Sequence, residues 1–182
     1  MKDFPLSRVF TLIEPSPVVM LTTSQKGRAN IMTMSWLMPI EFEPALIACV
    51  VSPADYSYAT LTATKECVIA IPTVDMIKKV VDVGNCSGKD IDKFDKFGLT
   101  PLQAKIVSAP LVGECLYNIE CKVIDMSMAN KYAMFILKAV KAWSNPARKE
   151  KRIFHAVGDG TFSVDGRKLN LKMRMIKFQA LL

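Results

Sequence analysis

Apolar residues along this chain recur either in alternation with polar ones or in short unbroken runs, and both patterns read as strands. They predict strands over 17–23, 29–37, 45–51, 66–71, 113–125, 131–143 and 168–178. Three stretches read as helices: Tyr56 to Lys65 after Ser52-Pro53-Ala54-Asp55, Val74 to Val83 after Thr73, and a short one from Asp90 to Phe97. Each begins at Ser, Thr or Asp, which can cap the free amides of a helix start. The chain is therefore expected to be mainly β with a few peripheral helices. Long antiparallel strands such as Cys115–Asp125 and Tyr132–Val140 need a covered or closed sheet, because open edges invite aggregation. A closed barrel with helices outside it fits the length.

One stretch departs from plain patterning. From Thr22 to Trp36 the sequence TTSQKGRANIMTMSW reads as a hairpin whose turn is Ser24 to Arg28. In its second arm Asn30, Met32, Met34 and Trp36 project to one face, while Ile31, Thr33 and Ser35 project to the other. Neither face is the apolar-in, charged-out face of a structural hairpin. Hydroxyls, an amide and a flat indole beside strand amides suit a planar heteroaromatic ligand with polar edges. The opposing reading makes Trp36 a core residue.

Composition narrows the classes. At 182 residues and 51% hydrophobic, the chain is expected to form a single domain over 1–182. The aliphatic run from Pro44 stops at Pro53, short of the roughly 20 residues of a bilayer span. The start, Met1-Lys2-Asp3-Phe4-Pro5, carries no signal-peptide pattern. Five cysteines, Cys49, Cys67, Cys86, Cys115 and Cys121, show no Cys-x-x-Cys spacing, and most lie in apolar runs. A reducing cytoplasm follows as the expected compartment, with no structural zinc.

The net charge of +7 gathers at Lys138 to Arg152 and at Arg167 to Lys177, the latter alternating with Leu169, Leu171, Met173 and Met175 as a strand with one solvated face would. Such a surface helps collect anionic small molecules such as phosphorylated nucleotides. No helix-turn-helix or aromatic-and-basic platform accompanies it, so no nucleic-acid role is expected. Ser87-Gly88-Lys89-Asp90 lacks the spacing of a triphosphate-binding loop, and nothing frames Ser127 or Ser163 as a nucleophile. The eleven methionines read as core filler, and Ser144 to Lys151 as an exposed, mobile connection.

Several segments together carry a family resemblance. They are Pro15-x-Pro17-Val-Val-x-Leu-Thr-Thr, Gly27-Arg28-Ala29-Asn30-Ile31-x-Thr33-Met34-Ser35-Trp36, the Pro44 strand, Ser52 through Thr62, and Glu66-Cys67-Val68 leading to Ile71-Pro72. Ser87-Gly88-Lys89-Asp90-x-Asp92-Lys93-Phe94, Ala109-Pro110-Leu111, Glu114-Cys115 and Glu120-Cys121 follow. In order and spacing the chain resembles the flavin reductase-like proteins with an FMN-binding split barrel, of the flavoredoxin type. The resemblance implies a dimeric six-stranded Greek-key barrel that binds FMN at or near the subunit interface. NADH, NADPH or a redox-protein partner would supply electrons.

Within that frame Asn30, Thr33 and Ser35 are expected along the polar edge of the isoalloxazine, with Trp36 against the ring. Ser52, Ser57 and Tyr58, near a helix N-terminus, are expected at the phosphate, with Lys93 as its cation and Lys89 as second choice. The resemblance implies an aromatic residue, Phe162, beside the cofactor. Where related sequences carry a histidine between the long central strands, this chain has Asn130 as a substitute. His155 either faces the nicotinamide or flavin or is a satisfied structural residue. The expected activity is FMN-dependent electron transfer from NADH or NADPH to an acceptor. Two alternatives stand beside it: an FMN electron carrier that docks a redox protein on the basic surface near Lys138 to Arg152, and a split-barrel protein of the pyridoxamine phosphate oxidase or haem-binding kind.

Overall fold

The computed structural model describes residues 16–175, with Pro5 and Ser7 ahead of them. In chain order the strands are β1 (Ser16–Pro17), β2 (Val19–Gln25), β3 (Arg28–Met34), β4 (Leu37–Glu41), β5 (Leu46–Val50), β6 (Glu66–Ile71), β7 (Pro101–Leu102), β8 (Leu111–Val112), β9 (Tyr117–Asp125), β10 (Met134–Ser144), β11 (Phe154–Ala156) and β12 (Phe162–Val164). The α-helices are α1 (Tyr56–Thr64), α2 (Ile77–Gly84), α3 (Lys93–Lys96) and α4 (Ala129–Tyr132). The fold is mainly β, as expected.

Seven strands form one antiparallel sheet in the order β3-β2-β6-β9-β10-β5-β4. The expected strand over 29–37 ends at Met34, because Ser35 and Trp36 leave the ladder and the chain restarts as β4. That split gives the main sheet seven strands, one more than the expected six. It also sets the geometry: β3 pairs with β2 and β4 with β5, so the two segments are opposite edges of the sheet. Only Ser35 and Trp36 join them, and a chain of that length reaches about 10 Å. The sheet is therefore curled until its edges meet at this point.

The curl encloses one core. Val19 and Leu21, Cys67 and Ile69, Cys121 and Val123, and Phe135 and Leu137 meet there with Met34, Cys49 and Leu61. Period-two alternation sends the intervening residues outward, and a second layer packs on that side: Met20, Ile31 and Ala70 against Val80 and Val83 of α2. Each fully buried side chain of this size contributes about 1.5–3 kcal/mol, so β2, buried on both faces, anchors the architecture.

Local signals shift some boundaries. Tyr117 opens β9 later than expected because a turn after β8, with the Cys115 amide on the Val112 carbonyl, takes the preceding residues, and Met134 opens β10 late because α4 fills the connection and ends at Ala133 in a left-handed conformation (φ 56°). The short third helix is capped by Asp92, not Asp90: its Oδ1 accepts from the amides of Phe94 (2.9 Å) and Asp95 (3.2 Å). Thr73 does not cap α2, since its hydroxyl donates to Asp75 Oδ1 at 2.6 Å and a 3-10 turn over Val74–Met76 intervenes. The connection after Ser144 is tied down by Asn145 Nδ2 on the Gly113 carbonyl (2.9 Å) and Arg148 on Asp75 (2.6 Å). No strand forms over 168–175, where every residue is exposed and a 3-10 turn at Lys172–Arg174 takes its place; 176–178 lie outside the described residues. Among the described residues, no helix is long and apolar enough to cross a membrane.

Candidate functional site

As an edge strand, β3 has one side free of sheet partners, and the chain builds a cleft against it. The start of α1 and the connection from α2 to α3 supply the other walls. The cleft has a volume of about 260 Å³ and is lined by Asn30, Met32 and Thr33, by Ala54 to Ser57, by Gly84 to Gly88, and by Lys93.

Its floor is a polar knot. Asn30 Nδ2 donates to Ser57 Oγ at 2.8 Å, and both residues are buried. Gly88 packs directly on this pair: a Cβ there would collide with the Asn30 amide and stand 3.0 Å from the Tyr56 ring. Arg28 holds the same loop, donating to the carbonyls of Gly88 (2.6 Å) and Lys89 (3.2 Å) while its guanidinium lies 5.5 Å from the Tyr56 ring centroid.

Lys93 brings the charge. As the first residue of α3, set by the Asp92 cap, it is buried, and its Nζ donates to the Val83 carbonyl at the end of α2 (2.8 Å). Burial pushes its ammonium below the ordinary lysine range, and attraction from Cys86 and Asp55 draws it partly back. The opening turn of α1 adds backbone donors. Asp55 stands at its N-cap but spends its carboxylate on the Ser52 amide (3.0 Å), leaving α1 without a side-chain cap. A buried cation, a buried hydroxyl and helix-start amides thus gather at one end, a set of groups whose chemistry suits an anion.

The cleft continues. Met32, Thr33 and Asp55 also line a second groove of about 260 Å³, bounded by Met34, Ser35, Trp36, Val50 and Ser52. Trp36 and Val50 in turn line a third, of about 290 Å³, with Ser16, Leu37, Met38, Ala48, Cys49 and Met134. Shared walls make these one trough along the seam between β3 and β4, polar and cationic at one end and apolar at the other. Thr33 hydroxyl donates to the Val80 carbonyl (2.5 Å), so within the trough it is an acceptor.

Seven of the expected site residues thus fall on one trough, with changes of place. Asn30, expected at the polar ring edge, lies at the cationic end with Ser57 and Lys93. Ser52, expected at that end, lies midway beside Ser35 and Trp36. Trp36 is 55% exposed, so the reading of it as core is overturned. Tyr58 leaves the site: it meets Phe135 edge-on at 5.5 Å and packs against the core, while Tyr56 takes the cleft wall.

Three others lie apart from the trough of a single chain. Asn130 is exposed on α4. Phe162 packs edge-on against Phe154 at 5.8 Å and borders a shallow groove over Ile77, Lys78, Val81 and Asp82. His155 has Nε2 2.9 Å from Asp165 Oδ1 and Nδ1 buried without a hydrogen-bond partner, so it pairs with Asp165 but is only half satisfied. Lys89 is exposed, and its backbone carbonyl serves Arg28. Residues missed in the sequence are Arg28, Tyr56 and Cys86; only the Ser87-Gly88 pair signalled a tight loop there.

Among known proteins, the family model described as flavin reductase like domain matches residues 12–160. An uncharacterized protein of Archaeoglobus fulgidus is 30% identical over 116 residues, which are 64% of this chain and 66% of that one. The uncharacterized protein YddH of Escherichia coli K12 is 29% identical over 172 residues, covering 87% of this chain and 91% of its own. The solved structure of flavoredoxin from Desulfovibrio vulgaris (Miyazaki F) superposes with a TM-score of 0.81 at 28% identity, over 93% of this chain and 96% of that one.

Proposed function

Because the chain belongs to the flavin reductase-like domain family, we propose that it binds FMN along the β3–β4 seam and passes electrons from NADH or NADPH to a second acceptor. The observation that carries this reading is the trough itself, which joins a buried cation to an apolar, indole-walled end through a strip of strand backbone. The residues fit the group. The absence of a Cβ at Gly88 lets its loop close onto Asn30 and wall the cleft, and Lys93, Ser57 and the α1 amides match a phosphate.

Thr33, Ser35 and the amides of the β3 edge would hold the polar rim of the ring, with Trp36 against its apolar part. FMN, when bound, supplies the hydride and electron chemistry. The protein's own tasks are to hold the phosphate at Lys93, fix the ring plane against the strand, and keep its face open to a donor. His155, engaged with Asp165, has no part in this scheme.

The finer architecture belongs to the same proposal: a Greek-key split barrel closed at the Ser35–Trp36 link, working as a homodimer in the cytoplasm. The purified protein tests the reading. Flavin absorption with maxima near ~375 and ~450 nm is expected, with anaerobic bleaching by NADH or NADPH. Flavin that neither nucleotide bleaches makes the protein an electron carrier fed by a redox partner, and a haem Soret band or a protein without affinity for FMN overturns the cofactor.

A further inference from the structure

The cationic end of the trough is closed by one side chain that ties its three walls together. β3 leaves its hairpin through a two-residue turn, Lys26-Gly27, in which both residues take left-handed φ values of 50° and 78°. So tight a turn fixes Arg28 as the first residue of the edge strand, beside the connection from α2 to α3. From there its Nη2 donates to the carbonyls of Gly88 (2.6 Å) and Lys89 (3.2 Å), while the guanidinium lies 5.5 Å from the ring centroid of Tyr56, the first residue of α1. The walls meet at Gly88. A Cβ added there would overlap the Asn30 amide and stand 3.0 Å from the Tyr56 ring. Where one more carbon does not fit between Asn30, Gly88 and Tyr56, a nucleotide chain does not pass.

We propose that Arg28 sets the length of the flavin that the site accepts: by clasping the α2–α3 connection against Tyr56 it closes the trough beyond Lys93, so that a flavin ending in a phosphomonoester binds and the dinucleotide FAD is excluded. This rests on the FMN reading above. Space is the first reason. FAD continues from the corresponding phosphate through a second phosphate into adenosine, and that continuation runs into the junction of Asn30, Gly88 and Tyr56. Charge is the second. A phosphomonoester carries about −1.5 to −2 charges near neutral pH, whereas each phosphate of a dinucleotide bridge carries a single one. Lys93 is buried, with Nζ on the Val83 carbonyl, and a cation so stripped of water gains most from the more highly charged end.

Arg28 Nη2 is spent on two backbone carbonyls, so the part of Arg28 is positioning: it holds the connection, and the connection shuts the trough. Nothing on the β3 side replaces it. The Asn30 amide nitrogen, next along that face, is already committed to Ser57 at 2.8 Å.

Calorimetric titration of the full chain, freed of flavin, with FMN and with FAD in parallel is the test. The wild type is expected to bind FMN more tightly by about a hundredfold or more. Arg28→Ala should cut that ratio by about tenfold or more, FAD gaining affinity while FMN loses little. Arg28→Lys keeps the charge but lacks the planar fork that reaches two carbonyls and the ring, and its ratio should fall between the two. A wild type that takes both flavins equally overturns the proposal. So does an Arg28→Ala variant whose two affinities fall by the same factor, because Arg28 would then only keep the connection folded. The wild-type ratio needs no variant, so misfolding cannot mask it. A wild type that binds neither flavin removes the FMN reading and this proposal together; one that binds FMN and FAD alike removes this proposal alone.

Discussion

Gly88 and Asn30 approach so closely that no side chain fits between them. The contact presses the α2–α3 connection onto the β3 edge and holds Asn30 against Ser57. Gly88→Ala must move the amide or the loop, at a cost of about 1–3 kcal/mol if it is absorbed by repacking. FMN affinity is expected to fall by about tenfold or more, measured by flavin-fluorescence titration, with circular dichroism unchanged. Affinity equal to that of the wild type would remove the loop from the cofactor site.

Lys93 gives the site its pH dependence. Burial lowers its pKa from 10.5, so the ammonium is lost at a lower pH than for an ordinary lysine. Between the lowered value and 10.5 the unfolded chain binds more protons than the folded one, so this group makes stability rise with pH there. FMN affinity should move the opposite way, falling across the same window as the phosphate loses its cation. Lys93→Met should bind FMN weakly at neutral pH, with little salt dependence and without the alkaline decline. Calorimetric titrations at several pH values read all three effects.

Glu120 is an internal tether. It is buried, yet its carboxylate accepts from the amides of Lys105 (3.1 Å), Ile106 (2.5 Å) and Val107 (3.1 Å) and from the Trp143 indole (2.7 Å). Burial opposes ionisation, but the indole and the three amides outweigh it and hold the group below the usual carboxylate range. Its stabilising effect is therefore complete above the unfolded value of 4.5 and lost as pH falls through the lower folded value. Glu120→Gln should cost about 2–3 kcal/mol in urea denaturation at neutral pH. The gap to the wild type should narrow in acid; a constant gap would assign the loss to packing alone.

Trp36 separates stability from function. Being largely exposed, Trp36→Ala should change unfolding free energy by no more than about 0.5 kcal/mol. The visible spectrum of bound flavin and its quenching should change clearly. A large loss of stability with an unchanged flavin spectrum would return Trp36 to a structural role.

The sequence pattern carried the strands well where both faces are buried, as in β2 and β6, because unbroken apolar runs have one reading there. It failed where a boundary depends on partners distant in sequence. The Ser35–Trp36 break is invisible in alternation that continues through it, and 168–175 alternates without an edge to join in its own chain. Tyr58 and Tyr56 show the same limit on a helix. Two positions turn the side chain by about 200°, and only the packing of α1 on Phe135 decides which tyrosine meets the cleft. Hydroxyls and Lys93 were legible as chemistry, but their division between the ends of the trough rests on the curl of the sheet.

The short link at Ser35 and Trp36 stitches the first row of the sheet to the last, and the trough runs along that stitch. A ligand bound there touches both rows at once, so its binding energy is spent resisting their separation. Occupancy should therefore act as a clasp on the whole sheet, slowing exchange of amides in β3 and β4 together rather than in one wall alone.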